Sequence, residues 1–213
     1  NFNLRPGTAQ MQQAVMSAAP DRVQAMTLTT EQQKDIASIK KLPLVKAFNR
    51  LAQDRYVFDP DLGPKAFADV FATSKEKAVM HALNIIATAV ERKNIRQIMA
   101  AKMILTQFAE ISAQKLIELY PQPDNTANAN ILAAAGPLAC DAAVRKMLIK
   151  ALDDRTEVPD DNPALVGQPL RICDIAYNQL VLNLKIKDVL RVIGTSMTDE
   201  TRDYHIDVLK NKF

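Results

Sequence analysis

Between Asp141 and Leu184 apolar residues recur at helical spacing on both sides of an acidic, proline-containing connection, and this pattern restricts the chain to packed helices. On the far side Cys173, Ala176, Tyr177, Leu180, Val181 and Leu184 follow the i, i+3, i+4, i+7, i+8, i+11 pattern, with Ile172, Ile175 and Leu182 widening the stripe. A stripe that wide predicts an interior helix covered from two sides. On the near side Val144, Met147, Leu148, Ala151 and Leu152 mark one face of a partner helix.

Composition extends this reading to the rest of the chain. Among 213 residues there are only 5 glycines and no tryptophan, while Ala, Leu, Ile, Lys and Gln are abundant. These are helix formers, and the alternation of β-branched and aromatic residues expected of strands is missing. The predicted fold class is all-α: stacked antiparallel helix hairpins in a solenoid-like or superhelical arrangement, with an irregular helical bundle as the alternative. The predicted organisation is an N-terminal arm over residues 1–27 followed by one all-helical domain over 28–213. The arm is polar and broken by Pro6-Gly7 and Pro20.

Along the chain, Thr30 and Gln33 match a capping box opening a helix with Ile36 and Ile39 inside, and Pro43 starts a second with Leu44, Phe48 and Leu51. Residues 54–63 read as a turn, followed by a short helix over 64–71. Thr73 and Glu76 match a further box before the stripe Val79, Ala82, Leu83, Ile86, Ala87 and Val90. Ile98, Ala101, Leu105, Phe108, Ser112 and Leu116 predict one helix running to about Tyr120, where prolines stop it. A small-residue helix begins at Thr126 and is interrupted at Gly136-Pro137. After Leu184, Ile186, Val189, Leu190 and Ile193 predict a helix ended by Gly194, and Thr198 opens a last, mostly charged helix.

Residues Asp141–Leu152, DAAVRKMLIKAL, resemble the signature of HEAT-type helical repeats: Asp141, Val144, Arg145, Ala151 and Leu152 match, and Leu148 stands in place of an alanine. Pro169–Leu180 is similar to a weaker version, with Leu170-Arg171 in the V-R place and Asp174 where a small residue is usual. The resemblance covers about 45 residues. It implies an α-solenoid scaffold whose concave face holds a partner, and it implies no catalytic residues.

Three groups of polar residues are candidate sites. Asp153, Asp154, Glu157, Asp160 and Asp161 in the acidic connection offer hard oxygen ligands, but their spacing departs from the EF-hand pattern and Pro159 interrupts it, so a solvated acidic loop is the expected state. Lys34, Lys40, Lys41, Lys46, Arg50 and Arg55 form a basic stretch suited to a polyanion; with little aromatic interleaving and no recognition motif, nucleic acid is a disfavoured partner. Arg145, Arg171 and Asp174 are assigned structural roles between helices or at loop caps. Asp188 and Arg191 are spaced as a helical ion pair.

His81 and His205 have no second ligand at zinc spacing, and phosphate-loop motifs are missing, so neither a metal site nor a cofactor is expected. Cys140 and Cys173 are expected to be small buried hydrophobes rather than a disulfide. Residues 1–106 carry 15 Lys and Arg against 9 Asp and Glu, and residues 107–213 carry 12 against 15, so the two halves differ in sign. No apolar run reaches the length of a membrane span. The start at Asn1 suggests processing or trimming, compatible with export after signal-peptide removal or with a cytoplasmic location.

The leading expectation is a non-enzymatic interaction module for a protein or peptide partner. The alternatives are a helical enzyme or metal-binding protein with clustered carboxylates, and a weak polyanion binder using residues 34–55.

Overall fold

The structure, a computed structural model, describes residues 28–88, 94–159 and 168–213, and these contain eleven α-helices and no strand. The expected arm over residues 1–27, Val90, Asp160 and Asp161 lie outside the described residues. Among the described residues no helix is long and apolar enough to cross a membrane.

The chain folds as two compact units, whose boundary falls after Phe108 and within one helix, α5 (Lys75–Ala87), between Ala82 and Leu83. The first unit contains α1 (Thr30–Ile39), α2 (Leu44–Leu51), α3 (Asp54–Val57), α4 (Leu62–Val70) and α6 (Ile95–Gln107). Its centre is α4, which packs against α1, α2, α3 and α6 and buries Ala66, Phe67 and Val70. The capping box of α1 sits one residue earlier than expected: Gln32 N donates to Thr29 Oγ1 at 3.2 Å, and Gln32 Oε1 accepts from Thr29 N at 2.8 Å. The 54–63 segment is also more ordered than a turn. It forms α3, and Asp59 Oδ1 accepts from the Asp61 and Leu62 amides at 3.0 and 2.8 Å, starting α4 ahead of Pro64.

The second unit contains α7 (Ala109–Leu119), α8 (Asn125–Ala135), a 3₁₀ turn (Gly136–Leu138), α9 (Ala142–Ala151), α10 (Ile172–Leu184) and α11 (Asp199–Lys210). Asp141 caps α9, accepting from the Ala143 and Val144 amides at 2.9 and 3.0 Å. The predicted interior helix is α10, which packs against α8, α9, the 3₁₀ turn and α11. Cys173, Ala176, Tyr177, Leu180 and Val181 are buried as the stripe predicts, but Leu182 is exposed. Gly136 lets α10 approach closely, since a Cβ there would stand 2.0 Å from Gln179 Oε1.

Two helix expectations are corrected. The continuous stripe over 98–120 is divided into α6 and α7, because Phe108 leaves the helical region at φ −114°, ψ 49°. Its ring is buried, with Lys75 Nζ 5.9 Å from the ring centroid. Residues 186–193 are not helical either. Lys185 and Asp188 adopt left-handed φ of 52° and 59°, and α10 holds the segment by side chains. Tyr177 Oη donates to the Leu190 carbonyl at 2.6 Å. Asn178 both donates to the Ile193 carbonyl and accepts from its amide at 2.9 Å. A side-chain amide that offers both a donor and an acceptor substitutes for a paired backbone, which removes the pressure to form a helix. Asn128 does the same at the turn before α8, pairing with the amide and carbonyl of Gln122.

Candidate functional site

The most developed polar constellation lies where α11 meets the start of α10, and it begins as a helix cap. Asp174, at the third position of α10, accepts from the Arg171 amide at 2.9 Å and satisfies one donor that the helix start leaves free. The same carboxylate accepts from Arg171 Nη2 at 3.0 Å and from Nε at 3.3 Å. Arg202 of α11 donates to it through Nη1, and that nitrogen also reaches the Pro169 carbonyl at 2.9 Å. Asp174 is 0% and Arg202 1% exposed. At the rim Arg171 Nη2 stands 2.9 Å from Asp203, whose other contact is Arg155 Nε at 3.0 Å, and Arg202 pairs with Asp199.

The cluster therefore contains Arg155, Arg171 and Arg202 against Asp174, Asp199 and Asp203, balanced in charge. Burial on this scale is tolerated only when charges are paired and hydrogen-bonded; every charge here has an ion-pair partner, while Arg202 Nε and Asp203 Oδ1 are buried without a hydrogen bond. Burial works against the Arg171 charge, yet the hydrogen bonds and charge of Asp174 prevail and raise its pKa. Cys173 lies 3.7 Å from Asp174 Oδ1; burial first, and then that carboxylate, push its thiol up to about 11. At neutral pH it is a protonated, weakly nucleophilic group. Cys140, by contrast, is exposed, contrary to expectation, because it lies in the turn before α9 rather than on a helix face.

Arg171 and Asp174 thus join the start of α10 to α11. Arg145 donates instead to the Cys140 carbonyl at 3.3 Å, closing the turn before α9. Sequence reasoning missed Arg202. The signal was nevertheless present, since Arg202, Ile206 and Leu209 are the buried residues of α11 at i, i+4 and i+7, placing an arginine in register with the apolar stripe. Asp188 and Arg191 form no ion pair among the described residues, because the helix that would have aligned them is not there.

In the acidic connection, Asp153 is engaged by Lys210, and Asp154 accepts from the Thr156 amide at 2.9 Å. Glu157 bridges antiparallel to Arg171, with Val158 N donating to Leu170 O at 2.8 Å and Ile172 N to Thr156 O at 3.0 Å. The connection ties α9, α10 and α11 together. No group of three or more His, Cys, Asp or Glu able to hold a metal ion occurs among the described residues.

In the first unit the basic stretch is partly neutralised. Lys40 pairs with Asp69 at 2.7 Å, and Asp35 accepts from Arg55 and lies 4.0 Å from Arg50. Asp35 also accepts from Tyr56, whose pKa rises to about 12 through burial and then that hydrogen bond. Lys34, Lys41 and Lys46 are exposed and form no ion pair among the described residues. An open groove of about 1070 Å³ runs past Glu31, Asp35, Asp54, Tyr56, Phe58 and Asp59. Three of its acids are committed: Asp35 as above, Asp54 to Arg96, and Asp59 to the start of α4. His81 packs edge-on to Phe48 at 4.9 Å, and burial lowers its pKa; His205 stands edge-on to Tyr204 at 5.3 Å. His81 is thus a packing residue, whereas His205 lies beside the exposed Tyr204 ring at the surface.

No protein-family model, curated protein or solved structure matches the chain.

Proposed function

We propose that the chain is a non-enzymatic helical-repeat interaction module, HEAT-like over residues 141–184, that binds a protein or peptide partner through a helix surface of its second unit. The observation that carries this reading is the closed pairing at Asp174. Both oxygens of Asp174 are taken up by Arg171 and Arg202, and Arg202 also donates to the Pro169 carbonyl and Gln168, which fastens α11 to α10 and makes a support rather than a reacting centre. The pairing of α9 with α10, and the cover that α10 receives from several neighbours, are what a stacked repeat requires.

On α10, Leu182 is 37% exposed in the last turn of the helix and offers an apolar contact to a partner. Panning the folded chain against a random peptide library, with bound peptides mapped by hydrogen exchange, tests the proposal. Protection should fall on the outer surface of α10, and Leu182→Ser should weaken binding without lowering Tm. Turnover of a substrate that Asp153→Asn abolishes in a chain of unchanged Tm would overturn it.

A further inference from the structure

Residues 36–53 contain Lys40, Lys41, Lys46 and Arg50 and no acid, a local charge exceeding the +3 of the whole chain. Within this window the corner between α1 and α2 leaves two aliphatic side chains in water: Leu42 is 40% and Val45 51% exposed. The core side of α2 is occupied by Ala47, Phe48 and Leu51, so Val45 and Lys46 belong to its outer face. Lys41 and Lys46 have no ion-pair partner among the described residues, and the Lys40–Asp69 pair lies in water, where such pairs exchange easily.

The shape of the corner bears on what it can meet. Two grooves of this unit are lined by residues 31–35 with 54–62 and by residues 49–55 with 96–97, and neither includes Lys41, Leu42, Val45 or Lys46. Neither groove provides a slot for an ordered peptide at the corner. A fluid surface needs none: aliphatic tips enter the boundary between headgroups and acyl chains while lysine stems lie alongside and their ammonium groups reach phosphates. From this combination we infer that the α1–α2 corner, Lys40–Lys46, docks the chain reversibly on an anionic lipid bilayer. Two aliphatic residues and two or three lysines make a weak, salt-sensitive contact. The corner belongs to the first unit, and the partner surface proposed on α10 to the second.

The absence of tryptophan supplies the test, because Leu42→Trp creates a single reporter at the corner. With phosphatidylcholine vesicles containing phosphatidylserine at low salt, its emission should shift to the blue and be quenched by brominated acyl chains. Vesicles of phosphatidylcholine alone should produce neither effect. Wild-type chain should sediment with the same anionic vesicles, and the Lys41→Glu/Lys46→Glu pair should reduce that binding roughly tenfold or more while leaving the thermal melt unchanged. Leu42→Ser/Val45→Ser should weaken it as well. The inference is overturned if the reporter is unquenched, if charge reversal leaves wild-type sedimentation unaltered, or if an oligonucleotide protects the corner while vesicles do not.

Discussion

The two units use the same residue types, arginine or lysine against aspartate, under opposite solvation. In the first, Lys40–Asp69 and Arg96–Asp54 lie in water, where a pair of this kind contributes about 0 to 1 kcal/mol. In the second, Asp174 is sealed between Arg171 and Arg202 beneath α11. There each charge depends on its partner, because water cannot replace the partner when it is removed. The worth of an ion pair is thus decided by the helix that covers it, not by the residues that form it.

Truncating one acid in each unit would test this contrast most severely. Asp174→Ala leaves two buried guanidinium groups without their carboxylate and should destabilise the second unit by about 3 to 5 kcal/mol in urea unfolding. Asp69→Ala should cost under about 1 kcal/mol, and less in high salt. Equal losses for the two would end the comparison. Close behind Asp174 in size is Leu180→Ala, a truncation in the helix at the centre of the second unit, expected to cost about 2 to 5 kcal/mol.

A pH test sharpens the view of the first unit, whose Asp35 cluster is only partly covered. Tyr56 keeps its phenolic proton to about 12 when folded, against 10 when unfolded. Between these values the unfolded chain binds fewer protons, so stability complete below pH 10 should fall as pH rises toward 12. The loss is roughly 2 to 3 kcal/mol. Tyr56→Phe should flatten that decline in urea midpoints measured from pH 9 to 12.

Smaller again is Gly136→Ala. The added Cβ meets the ends of the Gln179 and Asn183 side chains, which can swing aside at the loss of their contact with each other, so about 1 kcal/mol is expected. In a Gln179→Ala/Asn183→Ala background the penalty should vanish; if it persists, the backbone rather than these side chains resists. The Asp69→Ala loss completes the series at its lower end.

Much of the second unit was legible before its structure. The stripe from Cys173 to Val181 identified a buried helix, and the apolar face from Val144 to Leu152 identified its partner α9. Residues 186–193 carried an equally regular stripe, yet Asn178 and Tyr177 hold them as an irregular segment. The continuous spacing from Ile98 to Leu116 likewise concealed the break at Phe108. Periodicity reports which side chains would share a face if the backbone were helical. It does not report whether distant side chains make another conformation equally well paired.

The candidate site divides in the same way. Arg171 and Asp174, three residues apart, were visible as a pair, whereas Arg202 lies 28 residues beyond Asp174 and looked like one charge in a charged helix. By itself the sequence determined the helical class, the main apolar faces and the Thr198 cap, because these depend on neighbours within a turn or two of the chain. Only the tertiary structure decided which charges are buried, where a helix stops despite its pattern, and which acids are already engaged. Those outcomes depend on groups far apart in sequence that exclude water from one another, and the solvation they remove has no local signature.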